Sequence, residues 1–236
     1  MRKFFNYTLV VMLLALFTVP VLWAERKVEL KPVDFDRVKK VSQDPQSRYY
    51  FPRLEKLYRS NTDTTMNLED FRNLYYGYMF QEDYNPYRES QYSNKVEQLY
   101  YKKPHSRAEC DSIEKYARLS LDDNIFDFDQ MQFYIYILKE KKKYASAAVR
   151  SNKLERLIAA IISSGKGTKE EPWVVICPAH EYNIVNFLGF VATNHQEVDG
   201  CLDYITVEHK EGSKVQGFYF DIGHMLQEAK RKGYDN

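Results

Sequence analysis

Apolar residues recur along this chain at two different periods, and the period changes near residue 165. Before it the spacing is helical. Leu154, Leu157, Ile158, Ile161 and Ile162 stand at i, i+3, i+4, i+7 and i+8, which places them on one helix face. Leu68, Phe71, Leu74, Tyr75 and Tyr78 repeat the pattern, as do Phe128, Met131, Ile135 and Leu138. Shorter stripes predict helices over Tyr50–Ser60 (Leu54, Leu57, Tyr58), over Glu89–Tyr100 (Tyr92, Val96, Leu99, Tyr100) and after Ser106 (Ile113, Tyr116, Ala117). A further short helix is predicted over Asp34–Val41. Asn67, Ser106 and Asp127 or Asp129 precede three of these stripes and carry the short polar side chains that satisfy orphan N–H groups at a helix start.

Beyond Gly165 the texture becomes that of strands. Trp173–Cys177 is a short β-branched run bounded by prolines. Leu202–Glu208 and Val215–Ile222 read as two strands joined through Gly212-Ser213, with Phe218, Phe220 and Ile222 alternating against Tyr219 and Asp221. Glu181–Leu188, closed by Gly189, and Gly223–Lys232 read as short helices. Helices first and strands later predict an α+β fold. Helical hairpins would occupy residues 32–164, and a small antiparallel β-sheet lobe over 165–236 would pack on them as one domain. Leu54-Glu-Lys-Leu57, Val96-Glu-Gln-Leu99 and Leu154-Glu-Arg-Leu157 echo one another, but at unequal spacings, so the hairpins carry only a faint helical-repeat signature.

The N-terminus changes the picture of where this protein works. Met1-Arg2-Lys3 is basic, Leu9–Val19 is apolar, and Val21-Leu22-Trp23-Ala24 offers a cut site after a small residue. Residues 1–24 therefore read as a signal peptide, and the protein as exported, to the periplasm or beyond. An uncleaved anchor is the alternative, and would be the membrane contact. Loss of Arg2 and Lys3 takes the formal charge of +1 to just below zero, which gives no overall attraction to nucleic acid. The three cysteines, Cys110, Cys177 and Cys201, are too few and too scattered for a disulfide scaffold. Cys177 and Cys201 could bridge; small buried thiols are the other option. Tyrosine is abundant, with 20 residues, and suits both cores and wet binding surfaces.

Several strings are distinctive: Leu74-Tyr75-Tyr76-Gly77-Tyr78, Gln81, Tyr84-Asn85-Pro86-Tyr87, Gly165-Lys166-Gly167-Thr168, His180-Glu181-Tyr182 before Leu188-Gly189, and Tyr219-Phe220. Together they resemble an uncharacterised family, domain of unknown function 4919, found mainly in gut Bacteroides and relatives. The resemblance covers nearly the whole chain after the leader. It implies export from a Gram-negative cell, and brings no established activity and no assigned catalytic residues.

Familiar catalytic motifs fail on spacing. Gly165-Lys166-Gly167-Thr168 lacks the spacing and the strand-to-helix setting of a phosphate loop, so a flexible hinge between the lobes is expected there. His180-Glu181 lacks a second histidine four positions on, where Ile184 stands. His105, His195, His209 and His224 show no ligand spacing either, so no metal site and no cofactor are expected, and Glu181 is assigned to capping its helix or to pairing with a basic neighbour. Asp122, Asp123, Asn124, Asp127 and Asp129 lack the glycine and distal glutamate of a calcium loop, and helix capping explains them better. Neither a Gly-x-Ser-x-Gly elbow nor a Cys–His pairing is visible. The candidates left are aromatic and polar: Tyr76, Tyr84, Tyr87 and Gln81 around one turn, and Glu181 with Tyr182. Rings on a rigid turn can stack on sugars or grip a peptide; packing within the first hairpins is the competing explanation. The expected function is a non-catalytic binding or interaction module of the cell envelope, with an envelope protein or a glycan as partner. The alternative is an envelope enzyme such as a carbohydrate hydrolase, whose paired carboxylates would meet only in space.

Overall fold

The computed structural model describes residues 29–60, 65–100 and 102–234. The leader read at 1–24 lies outside them. Among the described residues no helix is long and apolar enough to cross a membrane.

The helical part runs α1 (Phe35–Gln43), α2 (Phe51–Arg59), α3 (Leu68–Gly77), a 3-10 turn (Tyr78–Phe80), a second 3-10 turn (Ser93–Val96) leading into α4 (Glu97–Tyr100), α5 (Arg107–Asp123), α6 (Phe128–Glu140) and α7 (Tyr144–Ile162). The caps are where the sequence puts them. Asn67 and Ser106 each form a full capping box, with Asp70 and Glu109 reaching back to the cap N–H. Asp127 accepts from the Gln130 N–H and starts α6. The predicted helix over Glu89–Tyr100 is realised only in its last turn. Ser90 Oγ accepts from the Tyr92 N–H and Ser93 Oγ meets Ser120 Oγ. Such local side-chain bonds compete with helix hydrogen bonding.

Helix α3 is the centre of the molecule. It packs against α1, α2 and α7, and every residue from Asp70 to Gly77 is buried. Buried Arg72 ties it to the end of α7, donating to Ser163 Oγ and to the Lys31 carbonyl. Because all of its faces are covered, the single apolar stripe read from sequence understates what the helix buries.

The second part runs β1 (Trp173–Val174), α8 (Ala179–Phe187), β2 (Ala192–Val198), β3 (Leu202–Val207), β4 (Gly217–Asp221) and α9 (Gly223–Arg231). The strands form one sheet in the order β1-β4-β3-β2. It is mixed rather than antiparallel: β1 pairs parallel to β4, while the other two pairs are antiparallel. The long crossover through α8 and the β2–β3 hairpin makes that parallel pairing possible. Strand β2 has no apolar alternation to betray it. Thr193 to Glu197 are all exposed, and β2 exists as an edge strand through its ladder with β3.

Where a flexible hinge was expected, a tight turn is found. The Lys166 N–H donates to the Glu171 carbonyl at 2.7 Å, the Tyr219 N–H to the Gly167 carbonyl at 2.9 Å, and Trp173 Nε1 to the Gly165 carbonyl at 3.0 Å. Gly165 is not the left-handed residue after α7; Gly167 is, with φ of 70°. One continuous apolar core joins α1, α2, α3, α6 and α7 to the sheet, running from Val38 to Met225.

Candidate functional site

The tyrosines read as a displayed cluster are mostly interior. Tyr76 and Tyr84 are each 1% exposed, so neither can offer its ring to a ligand. The Tyr76 hydroxyl donates towards the Val174 carbonyl at 3.3 Å, and burial pushes its pKa up to about 12. The Tyr84 hydroxyl donates to the Ile176 carbonyl at 2.8 Å, and burial raises its pKa too. Tyr87 is half-buried, with its N–H bonded to the Asn85 side chain. The turn at Asn85-Pro86 thus points Tyr84 inwards. Tyr84→Phe leaves the Ile176 carbonyl without that donor, and urea unfolding should show a loss of about 1 kcal/mol.

A neighbouring network explains His180. Its Nε2 lies 2.8 Å from the Phe126 carbonyl and its Nδ1 2.7 Å from the Tyr75 hydroxyl. The carbonyl can only accept, so Nε2 carries the proton and Nδ1 accepts from Tyr75. The Tyr75 hydroxyl in turn accepts from the Ile176 N–H at 3.2 Å. The ring stacks on Phe128 with centroids 4.1 Å apart. Burial lowers the pKa of His180 to about 4, so the imidazole is neutral. Val175 still bonds to β4 through the Asp221 carbonyl, and Ile176 after it is held to the helical part by two tyrosine hydroxyls, its N–H donating to Tyr75 and its carbonyl accepting from Tyr84.

Gln81 occupies a different setting. Its Nε2 donates to the Gly77 carbonyl, and with Gln43, Tyr50, Phe80, Glu82, Arg231, Lys232 and Tyr234 it lines a groove of about 610 Å³. Here the first 3-10 turn meets the C-terminal end of α9. Gln43 Nε2 donates to the Phe80 carbonyl, fixing one wall. Lys232 Nζ donates to the Gln81 and Glu82 carbonyls, and Arg231 pairs with Glu228. Its cations are therefore largely committed to the protein, and the lining also carries rings, the side-chain oxygens of Gln43 and Gln81 and the exposed Glu82 carboxylate.

Glu181 neither caps α8 nor meets a basic residue. It is 1% exposed and faces Asp203 of β3, which is 5% exposed. Asp203 shares the inward phase of β3 with Ile205 and Val207. His195 of β2 pairs directly with Ile205, so it lies on the same sheet face, diagonal to Asp203. One donor atom from each of Glu181, His195 and Asp203 lies within 4.8 Å of the others. His195 Nε2 is 3.0 Å from Asp203 Oδ1, an ion-pair distance without a well-directed hydrogen bond, and Glu181 Oε1 and Asp203 Oδ1 have no hydrogen-bond partner. Burial, followed by the nearby Asp203 carboxyl, pushes the Glu181 pKa up to about 9. Tyr182, next in sequence, is 40% exposed.

Sequence spacing missed His195 and Asp203 because the three residues come from three elements. One signal was present: an aspartate on the buried phase of an alternating strand, which costs free energy unless something compensates it. Asp127 and Asp129 serve structure, the first as a cap and the second by accepting from Asn183. The three cysteines are free, with Cys110 buried and Cys201 exposed, so Cys177 and Cys201 form no bridge.

Comparison with curated proteins and with solved structures finds no match. The family model described as Domain of unknown function (DUF4919) matches residues 36–231. That span takes in every described helix and strand except the first residue of α1, together with the groove but for Lys232 and Tyr234 and the whole Glu181–His195–Asp203 cluster, and the chain belongs to this DUF4919 family.

Proposed function

We propose that the protein is exported and acts in the cell envelope as a non-catalytic binding module, with the Gln81 groove as its ligand surface and a glycan as its ligand class. The groove itself carries the proposal. It brings the partly exposed rings of Tyr50 and Tyr234 into one lining with Gln43 and Gln81, whose amide nitrogens are bonded within the protein and whose side-chain oxygens remain as acceptors. Rings that pack on sugar faces beside neutral hydrogen-bonding groups suit a hydroxyl-rich ligand better than an anion, since Arg231 and Lys232 already have partners. The basic-then-apolar start of the chain supports export.

Binding of soluble envelope glycans to wild type and to Tyr50→Ala and Gln81→Ala variants tests this. Loss of a ring contact of about 1 kcal/mol should weaken binding roughly fivefold or more. Fractionation of source cells should recover the protein outside the cytoplasm. Glycan binding indifferent to both substitutions would remove the groove from consideration.

A second reading, a carbohydrate hydrolase, has one observation in its favour: the Glu181 and Asp203 carboxyls meet in space. Retaining glycosidases hold such pairs about 5–5.5 Å apart across the scissile bond. Here neither carboxyl lines the groove. Turnover of a glycoside that Glu181→Gln abolishes would establish the hydrolase and end the non-catalytic proposal.

A further inference from the structure

We propose that Glu181, His195 and Asp203 bind one divalent transition-metal ion of the zinc class, reached from solvent on the His195 side. The proposal is independent of the groove, with which the cluster shares no residue.

The site is assembled by packing. Helix α8 lies against β2 and β3, and the two strands present Asp203 and His195 to it from one face. Glu181 thereby becomes a fully enclosed carboxyl beside a second one. Two carboxyls in contact repel when both are ionised, and enclosure in a poorly polarisable interior strengthens the repulsion. A cation between the two offsets that cost, as a proton shared by the pair also does. Among the described residues no Lys or Arg pairs with either group, and the one ion pair is from His195 to Asp203. Glu181 Oε1 and Asp203 Oδ1 are both buried without a hydrogen-bond partner. Unsatisfied buried oxygens are scarce in native structures and call for an explanation. An ion between them supplies one: it gives each oxygen a partner and balances two negative charges.

The donor set selects the ion. One imidazole nitrogen with two carboxylate oxygens suits zinc and its first-row neighbours. Calcium takes six to eight oxygens, and magnesium holds most of its water in preference to imidazole. Ligands about 2.1 Å from a tetrahedral centre stand roughly 3.4 Å apart. Donors that already lie within 4.8 Å of one another need only small side-chain rotations to reach that spacing. The side chain of His195 is 44% exposed on an edge strand and is free to make one. Its exposure leaves room for water in the remaining coordination position.

The test uses the tag-free, full-length protein, stripped with chelator and dialysed against ZnCl2. Metal content should reach one Zn2+ per chain, and calorimetric titration should give a single class of site. Loss even of groups that only orient metal ligands costs about 10–100-fold in affinity, so His195→Ala and Glu181→Gln should each weaken Zn2+ by at least about 100-fold. Zn2+ should raise the melting temperature of wild type and not of His195→Ala. His195 sits on an exposed strand, so that variant decides the matter even where Glu181→Gln fails to fold. Three results overturn the proposal: no stoichiometric Zn2+ on wild type, Zn2+ retained undiminished by His195→Ala, or Ca2+ displacing Zn2+ at equal concentration.

Discussion

Replacing His180 with alanine should destabilise the protein by about 3–4 kcal/mol, read from the urea midpoint at pH 7.5. The ring is 2% exposed and fills space between Tyr75, Phe126 and Phe128. Its removal leaves a cavity and deprives the Phe126 carbonyl and the Tyr75 hydroxyl of partners at once. The same residue should make stability depend on acidity. An ordinary histidine titrates near 6.5, whereas burial lowers that of His180 to about 4. Between those values the unfolded chain takes up a proton that the folded one refuses. Its contribution is complete above about pH 6.5 and drains away as the pH falls towards 4, in total about 3 kcal/mol. Glu109 and Glu114, whose salt bridges to lysines hold their folded pKa values below the ordinary carboxylate range, add a slope of their own at the acid end of this range, where the unfolded chain takes up protons that they refuse. The measurement is therefore the difference in pH slope between wild type and His180→Gln. Equal slopes would mean that His180 takes up its proton as readily in the folded protein as in the unfolded chain.

Gly165→Ala should be nearly as damaging, at about 3 kcal/mol, although it adds a single methyl group. A Cβ there would sit 2.3 Å from the Pro172 carbonyl oxygen and 2.6 Å from that of Glu171. Both are backbone atoms, which cannot swing aside as the tip of a side chain can. The turn they belong to also carries the Lys166–Glu171 hydrogen bond and the Trp173–Gly165 contact, so relief of the clash would pull β1 from β4. Thermal unfolding measures the effect. A neutral outcome would show that the 165–172 turn is as loose as its glycines suggested. Gly212→Ala is a useful contrast: no atom lies near its added Cβ, although its φ of 79° adds strain of its own.

Much of the architecture was readable because it rests on local physics. Caps at Asn67, Ser106 and Asp127 need only a short polar side chain before a helical stripe, and all three form. The stripe from Leu154 to Ile162 and the alternation from Phe218 to Ile222 likewise state which face is dry. Family membership follows from residues 36–231 as a whole. Tyr76 and Tyr84 were misplaced for a different reason. Whether a tyrosine shows its ring depends on what covers its helix or turn, and α3 is covered on every side.

The amino-acid sequence by itself determined the α+β order of elements, the helix starts at Asn67, Ser106 and Asp127, and the family. These follow from side-chain periodicity and from hydrogen bonds between residues three or four apart. Only the tertiary structure decided the edge strand β2, the parallel pairing of β1 with β4, and the meeting of Glu181 with His195 and Asp203. Residues on three separate elements acquire a common environment only when the elements pack. A polar strand such as Ala192–Val198 has no pattern of its own until a neighbour supplies its hydrogen bonds.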